Sequence, residues 1–272
     1  MSVVLEQVCL THAGGNRALA NIELSLKSGE RVAIIGPSGA GKTTLLRILA
    51  TSLQPSQGEV RLFGQQPWRI SRRDLRRLRS KVGTVHQSPP LPPRQRVITS
   101  VLAGRLGKWP WWKSLASLVY PVDINGASAT LNRLDLAERL FERCDRLSGG
   151  QRQRVAVARI LYQRPEVILA DEPVSAMDPA LASRVVGELA NEAASRNITL
   201  IASLHAVDLA LSWFPRIVGL KAGEIVFDLP PVRVSDQMLR DLYGSESPIV
   251  PTQDNRPLEI EAKGIRRRPV CY

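Results

Sequence analysis

The chain has 272 residues, 44% of them hydrophobic, which is enough for one large domain or for two lobes that share a core. Its formal net charge of +12 favours anionic partners: nucleic acid, acidic lipid head groups or an acidic protein surface. The sequence shows no long uninterrupted apolar stretch, no basic-then-apolar leader and no C-x-x-C pair, so we expect a soluble cytoplasmic protein without disulfides or a zinc site.

Short apolar or alternating segments near the start predict β-strands, with turns at Gly14-Gly15 and Ser28-Gly29 between them. The predicted strands are residues 3–10, 22–26, 32–35 and 58–63, and residues 43–50 predict a helix. The proline-rich segment 89–93 breaks the chain, and from about 97 to 163 the pattern becomes mostly helical. We expect this helical stretch to form a second lobe.

The rest of the chain predicts strands that alternate with helices. Strand patterns cover residues 167–170, 198–203, 217–220 and 224–227, and residues 180–195 predict a helix between the first two. Such alternation indicates a parallel sheet covered on both faces. From Ser245 onward the chain is polar and contains prolines, so we expect a poorly ordered tail.

The residues from 36 to 43 read Gly-Pro-Ser-Gly-Ala-Gly-Lys-Thr and follow an apolar run. The glycines let the backbone curl so that consecutive N–H groups point at phosphates, and the helix that starts near Lys42 adds the positive end of its dipole. Lys42 supplies a mobile charge, and the hydroxyl of Thr43 suits Mg²⁺. The sequence therefore predicts a nucleoside triphosphate site formed by Gly36, Pro37, Ser38, Gly39, Ala40, Gly41, Lys42, Thr43 and Thr44.

A second group of candidate residues follows the apolar strand at 167–170, which runs directly into Asp171 and Glu172. Successive strand side chains point to opposite faces, so the two acids can serve different tasks. Asp171 would anchor Mg²⁺ through water, and Glu172 would align the hydrolytic water and accept its proton. The alternative is a pair of exposed acids at the end of a strand.

A third group is Leu-Ser-Gly-Gly-Gln at residues 147–151, directly before a predicted helix over 152–162. Ser148 is a good N-cap, and Gly149 and Gly150 leave backbone N–H groups exposed, which makes a second anion site. Because the chain has one phosphate loop, this second site suggests a nucleotide held by another subunit. Ser-Gly-Gly turns are also common linkers, and that interpretation stays open.

These three segments, in this order, resemble the nucleotide-binding subunit of ABC (ATP-binding cassette) transporters, and the resemblance covers roughly residues 3–244. It implies an α/β fold: a P-loop NTPase (RecA-like) core, an N-terminal antiparallel β subdomain and an inserted helical subdomain at about residues 90–163. The nucleotide-binding domain would span residues 1–244, with the polar tail at 245–272. The implied cofactors are ATP and Mg²⁺.

The resemblance also implies roles for single residues. Gln87 matches the Q-loop glutamine, which contacts Mg²⁺ and water, so the implied metal ligands are Thr43, Gln87 and Asp171. His205 matches the switch histidine, which contacts the γ-phosphate and positions the water, and Asp178 matches the D-loop aspartate at the subunit boundary. A nucleotide from the opposite subunit would meet Ser148, Gly149, Gly150 and Gln151.

His12 departs from the family pattern, which places an aromatic residue near this position to stack on adenine. Its imidazole offers a smaller stacking face, which makes the preference for ATP over GTP less certain than the phosphate chemistry. The alternative is that His12 is only a turn residue before Gly14-Gly15.

Segments 101–106, 109–118, 203–211 and 216–228 resemble phosphonate-import ATP-binding subunits, although methionine and polar amino-acid importers share part of them. Trp109, Trp111 and Trp112 either dock a permease or pack the insertion against its own lobe. The basic cluster at 69–81 is either a solvated helix face or a contact surface.

We therefore expect an ATPase subunit on the cytoplasmic face of the cell membrane. It would pair head-to-tail with a second ABC subunit, most simply as a homodimer, and power import of phosphonates or a related small anionic solute. Its partners would be an integral-membrane permease and, indirectly, a solute-binding protein, with no nucleic acid. The alternatives are an exporter subunit, or a non-transport ABC ATPase in a soluble phosphonate-processing or nucleic-acid-associated complex.

Overall fold

The structure is a computed structural model that describes residues 2–244, so the predicted polar tail at 245–272 lies outside the described residues. The strands, numbered in chain order, are β1 (Val3–Thr11), β2 (Arg17–Leu26), β3 (Arg31–Ile35), β4 (Gln57–Leu62), β5 (Val82–Val85), β6 (Val167–Asp171), β7 (Thr199–Ser203), β8 (Arg216–Lys221) and β9 (Glu224–Leu229). The helices are α1 (Lys42–Leu49), α2 (Arg72–Lys81), α3 (Val97–Leu102), α4 (Trp111–Val119), α5 (Ile124–Asn132), α6 (Gly149–Gln163), α7 (Pro179–Ser195), α8 (Val207–Trp213) and α9 (Asp236–Tyr243).

The N-terminal strands form an antiparallel sheet in the order β2-β1-β4, as the family resemblance implied. Burial alternates along β2, where Ile22, Leu24 and Leu26 point inward, because successive side chains of a strand face opposite sides. The strand begins at Arg17 and not at the predicted residue 22, because Leu19 is buried and already pairs with Leu10. The local alternation of apolar residues underestimated the length of β2, because its pairing with β1 extends it.

The larger sheet has the order β5-β6-β7-β3-β8-β9. Its first five strands in this order run parallel to one another, and β9 is antiparallel to β8. This arrangement confirms the predicted P-loop NTPase class. The sequence missed β5, which is four residues long and contains Gly83 and Thr84. Its pairing with β6, and not its own composition, makes it a strand.

The larger sheet separates two layers of apolar side chains. Along β3, Val32 and Ile34 join the layer that contains the N-terminal sheet and α1, whereas Ala33 and Ile35 join the layer on the side of α6 and α7. All four residues are 0% exposed, which explains why β3 reads as a continuous apolar run and not as an alternating one.

Helices α3, α4, α5 and α6 lie between β5 and β6 in the chain, and this agrees with the helical pattern predicted from 97 to 163. Helix α3 packs against α5 and α6, while α7 lies between β6 and β7, as expected from the alternation of strands and helices. Within residues 2–244, none of the helices is both long enough and apolar enough to cross a bilayer.

The packing of α1 yields a prediction for stability. Leu45 is 0% exposed and lies in the layer between α1 and β3, so Leu45→Ala should leave a cavity and lower the free energy of unfolding by about 2–5 kcal/mol. Arg47, on the exposed face of the same helix, provides the control: Arg47→Ala should change this value by less than about 0.5 kcal/mol. Equal unfolding midpoints for the two variants in denaturant titrations would contradict this packing.

Candidate active site

The phosphate loop joins β3 to α1 and requires glycine at two positions. Gly36 has φ 152°, and a Cβ atom there would collide with the carbonyl oxygen of Leu220. Gly41, the N-cap of α1, has φ 104°, and a Cβ there would lie 2.6 Å from the carbonyl oxygen of Ala18. The close approach of neighbouring backbone therefore fixes the path of the loop.

Lys42 is the first residue of α1 and is only 5% exposed. Its Nζ donates to the carbonyl oxygen of Gly36 over 2.6 Å and to that of Pro37 over 2.9 Å. The loop thus curls around its own ammonium group. Such a group is held in place for an anion that reaches the inside of the loop.

The hydroxyl of Thr43, the second residue of α1, donates to Oδ1 of Asp171 over 3.1 Å. The Ser203 hydroxyl donates to the same oxygen over 2.8 Å, and Asp171 is 7% exposed. A buried carboxylate beside a threonine hydroxyl is a set of hard oxygen donors, which is the ligand type that Mg²⁺ takes, usually together with waters. These residues therefore fit the predicted metal.

Glu172 lies at the end of β6 with both carboxylate oxygens engaged. Nε2 of Gln87 donates to Oε2 over 2.6 Å, and Nε2 of His205 lies 2.6 Å from Oε1. The backbone of Glu172 has φ 46°, which non-glycine residues rarely adopt, and its N–H donates to the carbonyl oxygen and the hydroxyl of Ser203. The structure thus brings together the three residues predicted to be catalytic.

A pocket of about 280 Å³ lies at the phosphate loop. It is lined by residues 38–44 of the loop, by Glu172 and His205, and by residues 12 and 16–18 from the turn between β1 and β2 and the start of β2; Asp171 and Gln87 do not line it. His12 also begins the turn before Gly14-Gly15, where its carbonyl oxygen accepts from the N–H of Gly15 over 2.9 Å. His12 is therefore a turn residue that also lines the pocket, and its contact with adenine stays a prediction.

The Leu-Ser-Gly-Gly-Gln segment starts α6, as predicted from the N-cap signal. The Ser148 hydroxyl accepts from the N–H of Gln151 over 3.2 Å, and Oε1 of Gln151 accepts from the N–H of Ser148 over 2.8 Å. This reciprocal capping box leaves Gly149 and Gly150 at the first two helical positions. No residue of 148–151 is among those that line the pocket at residues 38–44.

Asp178 is the N-cap of α7, and its side chain accepts from the N–H of Leu181 over 3.0 Å. Like Ser148, it does not line the pocket at the phosphate loop. Within one chain, the predicted residues thus fall into a group that converges on the pocket and a group at the starts of α6 and α7.

The three tryptophans of the segment 109–112 lie in two different environments. Trp109 packs edge-to-face on Tyr162, with ring centroids 6.4 Å apart, so it holds the segment against α6. Trp111 and Trp112, at the start of α4, are 79% and 60% exposed. The basic cluster lies on and beside α2, where Arg79 donates to Thr51.

The residues missed from the sequence include Asn16 and Arg17, which line the pocket, and Ser203 and Tyr243, which hold groups beside it. Ser203 holds both Asp171 and the backbone of Glu172, but a serine at a strand end carries no distinctive signal. Tyr243, on the last helix, accepts from the N–H of Gly36 over 3.2 Å, and burial raises the pKa of its hydroxyl. The distance of 207 residues along the chain hides that contact from any local pattern.

Comparisons with known proteins agree with this geometry. A family model described as ABC transporter matches residues 19–175. The phosphonates import ATP-binding protein PhnC 1 of Cupriavidus necator is 63% identical over an alignment of 279 residues that covers 100% of both chains. The phosphonates import ATP-binding protein PhnC 2 of Pseudomonas aeruginosa is 63% identical over 246 residues, which cover 90% of this chain and 92% of that protein.

Solved structures with a similar fold are also ATP-binding cassettes or parts of ABC transporters. The dimeric post-hydrolysis state of the ATP-binding cassette MJ0796, bound to ADP and Pi, superposes with a TM-score of 0.74 at 29% identity, covering 84% of this chain and 98% of that chain. The cbiO1 protein of Clostridium perfringens, part of the ABC transporter complex cbiONQ, has a TM-score of 0.71 at 25% identity, with 88% and 93% covered. The predicted resemblance is confirmed: this chain belongs to the ABC transporter family and is one of its ATP-binding cassettes.

Proposed function

We propose that this chain binds and hydrolyses ATP to power the import of phosphonates, or of a related small anionic solute, through a separate membrane permease. One observation carries the proposal. The ammonium group of Lys42, the carboxylates of Asp171 and Glu172 and the imidazole of His205 lie together at the phosphate loop, at the edge of the parallel sheet. The solute class is supported by the 63% identity, over the whole chain, to a protein named for phosphonates import.

The triphosphate would lie along the loop of residues 36–44. A phosphate oxygen would take over the donors that Lys42 now directs at the carbonyl oxygens of Gly36 and Pro37. Thr43 and Asp171 would hold Mg²⁺, and Gln87, which contacts the neighbouring Glu172, would supply the third ligand. When bound, the ion would neutralise charge that develops on the γ-phosphate.

Glu172 would orient and deprotonate the water that attacks the γ-phosphate in line. His205 and Gln87 each contact one oxygen of this carboxylate. Each oxygen keeps a second lone pair, so these contacts orient the carboxylate and still leave it able to accept a proton from water. Catalysis in this scheme comes from positioning and from charge neutralisation by groups already in place.

His12, Asn16 and Arg17 would meet the base and ribose end of the nucleotide, because they line the same pocket as the loop that would hold the phosphates. An imidazole and a guanidinium can both stack on a purine face. This grouping supports a contact between His12 and the base, although the side chain is smaller than the usual aromatic residue.

A second copy of this chain would complete each site. A nucleotide held by the partner's phosphate loop would be contacted by Ser148, Gly149, Gly150 and Gln151. Asp178 would lie at the boundary between the two subunits. Two observations support this arrangement: these residues do not line the pocket of their own chain, and the cassette MJ0796 is described as dimeric. The exposed N–H groups at the start of α6 suit a phosphate that arrives from outside.

The nucleotide-binding domain would span residues 1–244, with the helical subdomain at about 90–163, and would lie on the cytoplasmic face of the membrane. Different affinities of closed and open pairs for ATP and ADP would move the permease. A solute-binding protein would deliver the solute. The exposed Trp111 and Trp112 supply an apolar surface for the permease contact.

The role of Glu172 yields a prediction for catalysis. Glu172→Gln should lower the rate of ATP hydrolysis roughly 100-fold or more, because the amide cannot accept the proton, while ATP still binds. Glu166, before the opposite end of β6, gives a control: Glu166→Gln should retain the wild-type rate. Steady-state phosphate release and ATP binding are the measurements. Wild-type turnover in Glu172→Gln would show that another group is the base.

Lys42 yields a prediction for affinity. Lys42→Ala should weaken ATP binding about 10- to 100-fold, because a charge-assisted hydrogen bond to phosphate is lost. The exposed Lys27 serves for comparison, since Lys27→Ala removes a charge elsewhere on the surface. Titration with a fluorescent ATP analogue measures both variants. Equal affinities would remove the loop from its proposed role.

The tryptophans yield a prediction for assembly. The double variant Trp111→Ser with Trp112→Ser should reduce co-purification with a permease encoded by neighbouring reading frames roughly tenfold, because large exposed aromatic anchors are lost. Val226→Ser, on the exposed face of β9, should not. Pull-down from detergent-solubilised membranes measures the yield. Undiminished recovery of the permease with the double variant would contradict this contact.

A further inference from the structure

Gln153 lies on α6, two residues after the Leu-Ser-Gly-Gly-Gln segment, and is 2% exposed. Its Nε2 lies 3.1 Å from the carbonyl oxygen of Gln87, 3.0 Å from the hydroxyl of Ser175 and 3.4 Å from the carbonyl oxygen of Glu172. On its other side, the N–H of Ala176 donates to Oε1 over 3.2 Å. One buried side chain therefore contacts the segment that follows β5 and the loop between β6 and α7.

Only one orientation of this amide satisfies its neighbours. Backbone carbonyl oxygens only accept hydrogen bonds, and the Ala176 N–H only donates. The NH₂ group must therefore face Gln87 and Glu172, and the oxygen must face Ala176. Glu, Leu and Met have similar volumes but lack this combination of donors and acceptor, so each would leave partly buried backbone groups without these hydrogen bonds.

The two backbone segments that Gln153 contacts carry side chains that hold each other. Nε2 of Gln87 donates to the Glu172 carboxylate over 2.6 Å, and Glu172 has the uncommon φ of 46°. A residue in such a conformation persists only when its surroundings fix it. Ser203 binds the N–H of Glu172 and Gln153 contacts its carbonyl oxygen, so the residue is held from both sides.

We infer that Gln153 is a positioning residue for hydrolysis: it fixes Gln87 and Glu172 relative to the helix that begins at Gly149. The inference rests on the proposed ATPase function and deepens it. A displacement of α6 that carries Gln153 along would shift the groups that orient the attacking water. None of the hydrogen bonds that the described residues make with Gln153 involves residues 36–44 of the phosphate loop. Gln153 therefore acts on the hydrolytic step and not on ATP binding.

The test replaces the amide by an apolar group of similar size. Gln153→Leu should lower kcat roughly 10- to 100-fold, since a small misplacement of catalytic groups has effects of that order. KM for ATP and the affinity for a fluorescent ATP analogue should stay within about twofold of wild type. Because unfolded protein would lower the apparent kcat without changing KM, kcat is calculated per ATP site counted in the titration.

Gln163, on the same helix, provides a matched control. Its Nε2 donates to the carbonyl oxygens of Ser80 and Val82, away from the catalytic groups. Gln163→Leu makes the same chemical change and removes comparable bonds to backbone. It should keep the wild-type kcat.

Two further variants keep the test decisive if Gln153→Leu does not fold. Gln153→Glu preserves the length of the side chain, and it should lower kcat as well because a carboxylate oxygen would face two carbonyl oxygens. Ser175 is exposed, so Ser175→Ala removes one partner of Gln153 without disturbing the core. It should lower kcat about threefold with KM unchanged, and add nothing in the Gln153→Leu background.

The outcomes separate this inference from the proposed function. Absence of hydrolysis by the wild-type chain removes the proposed function, and this inference with it. Hydrolysis by wild type and Gln163→Leu, with unchanged kcat in the Gln153 and Ser175 variants, overturns the inference alone. Equal losses of kcat and of ATP affinity in the Gln153 variants also overturn it, because they indicate general disruption of the site.

Discussion

The buried carboxylate of Asp171, at the end of β6, links the carboxyl ends of three neighbouring strands, β6, β7 and β3. Thr43, after the loop that follows β3, and Ser203, at the end of β7, both donate to its Oδ1. The strand order β6-β7-β3 makes this possible, because parallel strands end at the same edge of a sheet and deliver the segments that follow them to one place. The phosphate loop, Glu172 and His205 are neighbours for the same reason, so a shift in strand register would disperse them.

In one copy of the chain, the phosphate loop, Glu172 and His205 line one pocket. The second segment predicted to bind phosphate, at the start of α6, does not line that pocket. This segment is a pre-formed cap with free glycine positions. In the proposed scheme the partner copy uses it, and nucleotide binding and association of two copies become one equilibrium. Gln153 then links the segment that faces the partner to Gln87 and Glu172 of its own site.

Much of the fold was predictable because it depends on local chemistry. Continuous apolar runs marked β3 and β6, and the capping serine marked the start of α6. The Gly36–Thr43 string and the Asp171-Glu172 pair identified the site, since their spacing follows from phosphate and metal chemistry. Features that depend on residues far apart in the chain were missed. β5 is a strand because it pairs with β6, and Tyr243 accepts a hydrogen bond from Gly36, 207 residues away. Gln153 was missed because a glutamine in a helix has no pattern that reveals which backbone groups surround it.

If each nucleotide lies between the phosphate loop of one copy and Ser148-Gly149-Gly150 of another, two defective variants should complement each other. The most direct measurement mixes a Lys42→Ala chain with a Ser148→Arg chain, both carrying Glu172→Gln to prevent turnover, and determines the ATP retained after gel filtration. Each variant alone places one defect in both sites of its pair and should retain none. A mixed pair has one intact site, so we predict up to one ATP per mixed pair. No retention by the mixture, with retention by the Glu172→Gln chain alone, would contradict a shared site.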